Sequence, residues 1–157
     1  MAGERKEHIL VSALRHGTVI DHIPLGHVFK VLQVLGLQNH EKVMAIGVNL
    51  ESRKYGRKDI LKVEDREFNE EEAGKLALIA PDATLNIIRE WKVAKKIHVS
   101  IPDMVTGITC VNPRCITRYE PVATKFSVLD KDKKKLKLRC AYCEHDMEKD
   151  DILKNLQ

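Results

Sequence analysis

The chain has 157 residues, of which 43% are hydrophobic, 32% charged and only 4% aromatic, with a formal net charge of +4. Such a composition describes a globular chain with a mild preference for anionic ligands. It is poor material for base-stacking nucleic-acid platforms, and no apolar run approaches the about eighteen residues that span a bilayer. All four cysteines fall in the last third, so two small domains are expected, residues 1–101 and 102–157, in a cytoplasmic protein that binds neither nucleic acid nor membrane.

Residues 8–15 centre on Ile9-Leu10-Val11-Ser12-Ala13 and predict a strand that turns at His16-Gly17. Thr18 to Ile23 leads to Pro24, which pre-sets a helix whose Val28, Val31, Leu32 and Leu35 recur at helical spacing and which ends near Gly36. Residues 42–50 and 58–64 predict a hairpin joined by a polar loop containing Ser52 and Gly56. Asn69 and Glu72 stand at capping-box spacing before an apolar stripe of Ala73, Leu76, Ala77 and Ala80, ended by Pro81. Residues 84–99, with Ile87, Ile88, Trp91 and Val93, predict a last strand that runs into a connector at 98–103. The order strand, helix, strand, strand, helix, strand is the ferredoxin-like βαββαβ arrangement, an α+β fold with two helices on one face of an antiparallel sheet.

Beyond the connector, residues 119–129 and 135–139 predict strands of a small β-rich domain, with a turn at Asp130-Lys131-Asp132 and a short helix at 152–156. The lysine-rich run 131–139 alternates around Leu136 and Leu138 as an exposed strand whose lysines block edge pairing. The cysteines dominate this half. Cys110 and Cys115 form one short-spaced pair and Cys140 and Cys143 another, the pattern that aims four thiolates at a tetrahedral Zn2+. Four thiolates close the coordination shell, so such an ion is structural. His98 and His145 are read as surface or packing residues. Two disulfides, or a redox pair at Cys140 and Cys143, are the alternatives, although the N-terminal residues contain no continuous apolar segment of a secretory signal.

The chain contains no glycine-rich phosphate loop, no nucleophile elbow and no zinc-protease helix, which argues against an enzyme. Asp21 and His22 are adjacent on a strand and face opposite ways, a poor acid–base pair. Lys58 and Lys62 share one side of a predicted strand, with Lys95 and Lys96 on the last strand. Spacing alone leaves these lysines as either a solvated edge or a place for phosphates.

Several blocks taken together resemble the regulatory chain of aspartate carbamoyltransferase over nearly the whole length. They are Gly17-Thr18-Val19-Ile20-Asp21-His22-Ile23-Pro24 with Arg15 before it, Ile46 to Leu50, Gly56-Arg57-Lys58-Asp59, Leu76 to Pro81, and the four cysteines. The resemblance implies a non-catalytic subunit. Its N-terminal allosteric domain would bind ATP or CTP, and its zinc domain would dock on the catalytic chain. Regulatory chains would pair with one another through their allosteric domains. The nucleotide pocket it implies comprises Val11, Ser12, Ala13, Leu14, Val19, Asp21, His22, Lys58, Lys62, Asn86, Ile88, Trp91, Val93 and Lys96. Residues 11–14 and Ile88 would flank the base, and Asp21 would accept from the ribose. Ser12 stands where the better-known bacterial members carry an acidic residue, and Trp91 where they carry a tyrosine.

Overall fold

The computed structural model describes residues 13–54 and 56–156. Five antiparallel strands form the first sheet: β1 (Gly17–Ile23), β2 (Met44–Ser52), β3 (Gly56–Glu64), β4 (Thr84–Arg89) and β5 (Lys92–His98). Their spatial order is β2-β3-β1-β4-β5. With helices α1 (Val28–Val34) and α2 (Glu70–Ile79) between them, the first four strands make the expected βαββαβ unit, and β5 adds one edge strand.

Strand alternation decides the two faces of this sheet. Thr18 and Ile20 on β1 are fully buried, as are their β3 partners Val63 and Leu61, and Leu85 and Ile87 on β4 continue that face. Val28, Val31 and Val34 of α1 and Leu76 and Ala77 of α2 join the same apolar cluster. The other face carries Val19, Asp21, Lys62 and Asn86, all half-buried, and Lys96, which is exposed.

One expected turn, at His16-Gly17, and one expected strand are corrected. The strand expected over 8–15 lies largely outside the described residues, and Ala13 to His16 are irregular; the central strand is Gly17–Ile23. Gly17 explains the shift. Its φ is 143°, and a Cβ there would collide with the Val63 carbonyl oxygen, so the glycine that reads as a turn is a close backbone approach inside a sheet. The single strand expected over 84–99 is a hairpin instead. Glu90 and Trp91 have φ of 48° and 67°, the paired left-handed backbone of a two-residue type I′ turn. Neither is a residue type that announces such a turn. Its tip is held from outside, by the Trp91 N–H donating to the Arg15 carbonyl at 3.1 Å.

Pro24 begins a turn, with the His27 N–H donating to its carbonyl, and α1 follows from Val28. No side chain of α1 or its N-cap residue caps the helix. The buried carboxylate of Asp59 on β3 accepts from the N–H groups of Gly26 at 2.9 Å and Val28 at 3.4 Å instead. The capping box of α2 is formed as its sequence predicts: Asn69 accepts the Glu72 N–H at 2.9 Å and Glu72 accepts the Asn69 N–H at 3.0 Å.

A second sheet contains β6 (Met104–Thr106), β7 (Lys125–Asp130), β8 (Lys137–Cys140) and β9 (Asp146–Glu148) in that spatial order, followed by α3 (Lys149–Asn155). The strand expected over 119–129 starts only at Lys125, because a 3-10 turn (Ile116–Arg118) and a loop occupy the stretch before it. Nor is the lysine run an exposed edge strand. Residues 131–136 lie outside any strand, Leu136 and Leu138 are buried, and β8 pairs on both sides, with β7 and with β9. α3 begins at Lys149 rather than 152 because Glu148 and Asp151 form a second capping box.

The apolar cluster is continuous through α2, which packs on β6 and α3 as well as on α1. Val105, Ile108, Phe126, Leu138, Met147 and Ile152 belong to it together with Leu76 and Leu78. Polar links lie beside this contact, the Thr106 hydroxyl donating to Glu71 at 3.0 Å and Lys133 pairing with Asp82. Among the described residues no helix is long and apolar enough to cross a membrane. Asn69→Ala removes the N-cap acceptor of α2 and is expected to cost about 1 kcal/mol, seen as a lower denaturant midpoint at unchanged slope.

Candidate metal centre and ligand face

Two turns of backbone bring the cysteines together, one carrying Cys110 and Cys115 and the other Cys140 and Cys143. Cys110 follows the segment after β6, Cys115 caps the 3-10 turn, Cys140 ends β8, and Cys143 lies in the turn before β9. The second turn is fixed by the Cys140 N–H donating to the His145 carbonyl at 3.0 Å and the Glu144 N–H to the Cys140 carbonyl at 3.0 Å. All four Sγ atoms lie within 4.8 Å of one another. Cys110 and Cys143 are 3.7 Å apart, as are Cys115 and Cys140. Ligands about 2.3 Å from a tetrahedral zinc would be about 3.8 Å from one another, so the donor set has the size of such a site. The separations are far beyond an S–S bond, and the thiols are free.

The surroundings of the sulfur atoms favour a cation. Cys110, Cys115 and Cys140 are completely buried. Burial pushes the Cys110 thiol up to about 12 and the Cys140 thiol upward as well, although backbone N–H groups of Asn112, Tyr142 and Cys143 donate to these sulfurs. At Cys143 burial also acts upward, but the Asn112 side chain, the His145 N–H and the neighbouring thiols outweigh it and bring the group down to about 6. The Thr117 hydroxyl lies 3.1 Å from the Cys115 sulfur. Donors are thus aimed at sulfur in a pocket that resists anionic charge. A divalent ion resolves that conflict, since it deprotonates thiols and neutralises them together.

The outer face of the first sheet collects the other predicted residues. Val19 pairs with Lys62 on one side and Asn86 on the other, and Asn86 pairs with Lys96, so these four form one row across β3, β1, β4 and β5. Gly17, Ile88 and Val93 form a parallel row toward one end, where Trp91 is 62% exposed at the hairpin tip beside Arg15. Toward the other end Asp21 pairs with Lys58 at 2.9 Å, each side chain 20% exposed. The expected alternation of Asp21 and His22 is broken here by a β-bulge. His22 has φ of 59°, and its N–H donates to Asp21 at 2.7 Å. Ala13 is exposed and Leu14 half-buried ahead of β1, while Val11 and Ser12 lie outside the described residues.

Burial lowers the His22 pKa below its ordinary 6.5; Asp21 opposes this, and Lys58, Lys54 and Lys96 add to the lowering. The Lys62 ammonium is likewise pushed down by burial, against the pull of Asp21. Two participants escaped sequence reasoning. Thr84, whose hydroxyl is 3.3 Å from the His22 ring, is placed only by the pairing of β4 with Asp21 on β1. Lys54, in the loop between β2 and β3, carries no motif, and only the hairpin brings it near His22.

A family model described as aspartate carbamoyltransferase regulatory chain, allosteric domain, matches residues 9–100, and one described as the metal binding domain of the same chain matches residues 103–153. The aspartate carbamoyltransferase regulatory chain of Pyrococcus furiosus is 53% identical over 149 residues, covering 93% of this chain and 97% of its own. That of Thermococcus sibiricus is 50% identical over 151 residues, covering 96% and 99%. That of Parabacteroides distasonis is 44% identical over 154 residues, covering 98% and 99%.

Elemental analysis of the purified protein is expected to find one divalent ion per chain. Cys115→Ser should lose it and leave the amides of β6 to β9 open to hydrogen exchange while β1, β3 and β4 stay protected. A metal-free wild-type chain with a protected second sheet would contradict this.

Proposed function

Because the chain belongs to the family of aspartate carbamoyltransferase regulatory chains, we propose that it is the nucleotide-sensing subunit of a cytoplasmic complex with the catalytic chain of that enzyme, in pyrimidine biosynthesis. It is a non-catalytic subunit with an allosteric and a metal-binding domain. In this reading residues 1–101 bind ATP or CTP, and residues 102–157 hold Zn2+ at Cys110, Cys115, Cys140 and Cys143 and dock on the catalytic chain.

The observation that carries the reading is the polarity of one sheet face. Ile88, Val93 and Trp91 gather at one end, and Asp21, His22, Lys58 and Lys54 at the other, with Lys62, Asn86 and Lys96 between. Ile88 and Thr84 are four residues apart on β4, so the two ends are about 13 Å apart. An elongated ligand with an aromatic head and an anionic tail suits such a face, and a nucleoside triphosphate is that shape. Val11 to Leu14 and Ile88 then flank the base, Asp21 accepts from the ribose, and the lysines neutralise phosphates as point charges.

Two apolar surfaces support the partners. Leu25, Phe29, Val43, Ile46 and Val48 are exposed on α1, its preceding turn and the β2 edge, where a second copy of the chain would cover them. Ile116, Tyr119, Val122 and Tyr142 are exposed on the loops that carry the cysteines, where the catalytic chain would sit. The zinc supplies no chemistry there beyond cross-linking the two cysteine turns. Those turns hold the docking side chains in place. Effector binding then acts on the catalytic partner through α2, the wall shared by both halves, at a coupling of about 1 to 3 kcal/mol.

Trp91 is the only tryptophan, so intrinsic fluorescence reports on the base end directly. Titration with ATP or CTP is expected to change its emission with saturation. Lys96→Ala should weaken that response while zinc content and co-purification with the catalytic chain persist; unchanged affinity would remove Lys96 from the site. The pH dependence follows from His22, which is neutral at pH 7 because its pKa lies below 6.5. An adjacent phosphate favours the charged ring, so binding takes up a proton and tightens as pH falls from about 8 to about 6. Comparison with His22→Gln cancels the titration of the phosphates themselves, and the variant should lack this extra gain.

A further inference from the structure

Asp59 is fully buried, directly follows Lys58 on β3, and points away from the ligand face, into the side of the sheet where Leu61 and Val63 are buried. It accepts hydrogen bonds from three backbone N–H groups, those of Gly26 at 2.9 Å, Val28 at 3.4 Å and Asn49 at 3.0 Å. These donors come from both sides of β3. Gly26 and Val28 lie where the chain leaves β1 and enters α1, and Asn49 lies in β2.

Both strands that flank β3 are bulged at this level. β1 pairs Ile20 with Leu61 and next Ile23 with Asp59, and its extra residue brings His22 to φ of 59°. β2 pairs Gly47 with Ile60 and next Leu50 with Lys58, and Asn49 sits at φ of 62°. Each bulge disrupts the ladder and holds a non-glycine residue in left-handed backbone, an arrangement that persists only where surrounding groups determine it. Asp59 is such a group for the β2 bulge, because it accepts the Asn49 N–H. It also fixes the exit from β1 through Gly26. On the opposite side of the same two residues of β3, the β1 bulge delivers Asp21 to Lys58.

We propose that Asp59 is a positioning residue for the nucleotide site, holding both bulges in register so that Lys58 and Asp21 stand ready for phosphate and ribose. This role rests on the nucleotide reading above and belongs to a residue that the ligand does not touch. A charged acceptor with three N–H donors is a strong fixture in a buried place, so its loss is felt by whatever it holds.

Isothermal titration of ATP and CTP into the full-length chain tests the role. Asp59→Asn keeps the side-chain size but loses the charge and one acceptor, and is expected to weaken binding about tenfold at unchanged metal content. In a Lys58→Met background the same change should add less than about twofold, because it acts through Lys58. Additive losses, or wild-type affinity in Asp59→Asn, would overturn the role while leaving the site intact. A wild-type chain that binds neither nucleotide would overturn the site and this role together. Should Asp59→Asn fail to fold, hydrogen exchange in the wild-type chain decides. The Gly26 and Asn49 amides should gain protection on nucleotide binding and should not do so in Lys58→Met; no gain in the wild type would overturn the role.

Discussion

The central strand of the first sheet has to satisfy two opposite demands, and most of the N-terminal half follows from how it does so. β1 pairs with β3 on one side and β4 on the other, so from Gly17 to Ile20 its backbone is held from both sides. Its side chains alternate. Thr18 and Ile20 go into the core, which fixes α1 and α2 to that face, and Val19 and Asp21 must then point outward. The outer face is the other half of the same periodicity, and a slip of one residue would exchange the two. The Thr18 hydroxyl donates to the Arg66 carbonyl, which lets a polar side chain occupy a core position.

The second half is organised around a different constraint. Its strands are short, three to six residues, and a sheet of that size has little apolar surface of its own. Two features compensate. The buried sulfur cluster draws together loops separated by the whole length of β7 and β8, and α2 lends its far side as a wall. α2 therefore belongs to both halves, sharing the apolar cluster of the first sheet and packing on α1 while also meeting β6 and α3. The polar links of Thr106 to Glu71 and Lys133 to Asp82 lie at the margin of that contact, where exposed pairs contribute little to stability but do select one orientation.

Much of this was legible in the residues. The capping box of α2, the end of α1 near Gly36 and the convergence of the cysteines are short-range or spacing-encoded, and local physics specifies them. The misreadings have specific causes. Gly17 reads as a turn because glycine is permissive, whereas its actual use is to let Val63 approach. Glu90 and Trp91 gave no sign of a type I′ turn because the Arg15 carbonyl, fixed elsewhere in the chain, holds them there. The run around Leu136 and Leu138 looked like a guarded edge, since alternation cannot tell an edge strand from one flanked on both sides. On the outer face, the row through Lys62, Val19, Asn86 and Lys96 depends on three registers, none of which is written in any single segment. Thr84 and Lys54 were missed for that reason.

Among the described residues, the two outermost strands of the first sheet are not alike. β5 carries Lys92, Lys95 and Lys96 and is exposed along nearly its whole length, a margin that repels another strand. β2 and the residue before it expose Val43, Ile46 and Val48, apolar side chains instead of lysines. Lateral growth of the sheet is thus open in one direction only, and a copy joining there would spend its own open margin in doing so. A twofold pair formed through that margin alone, as in the proposed pairing of two chains, would close on itself and offer no apolar end from which a fibre could extend.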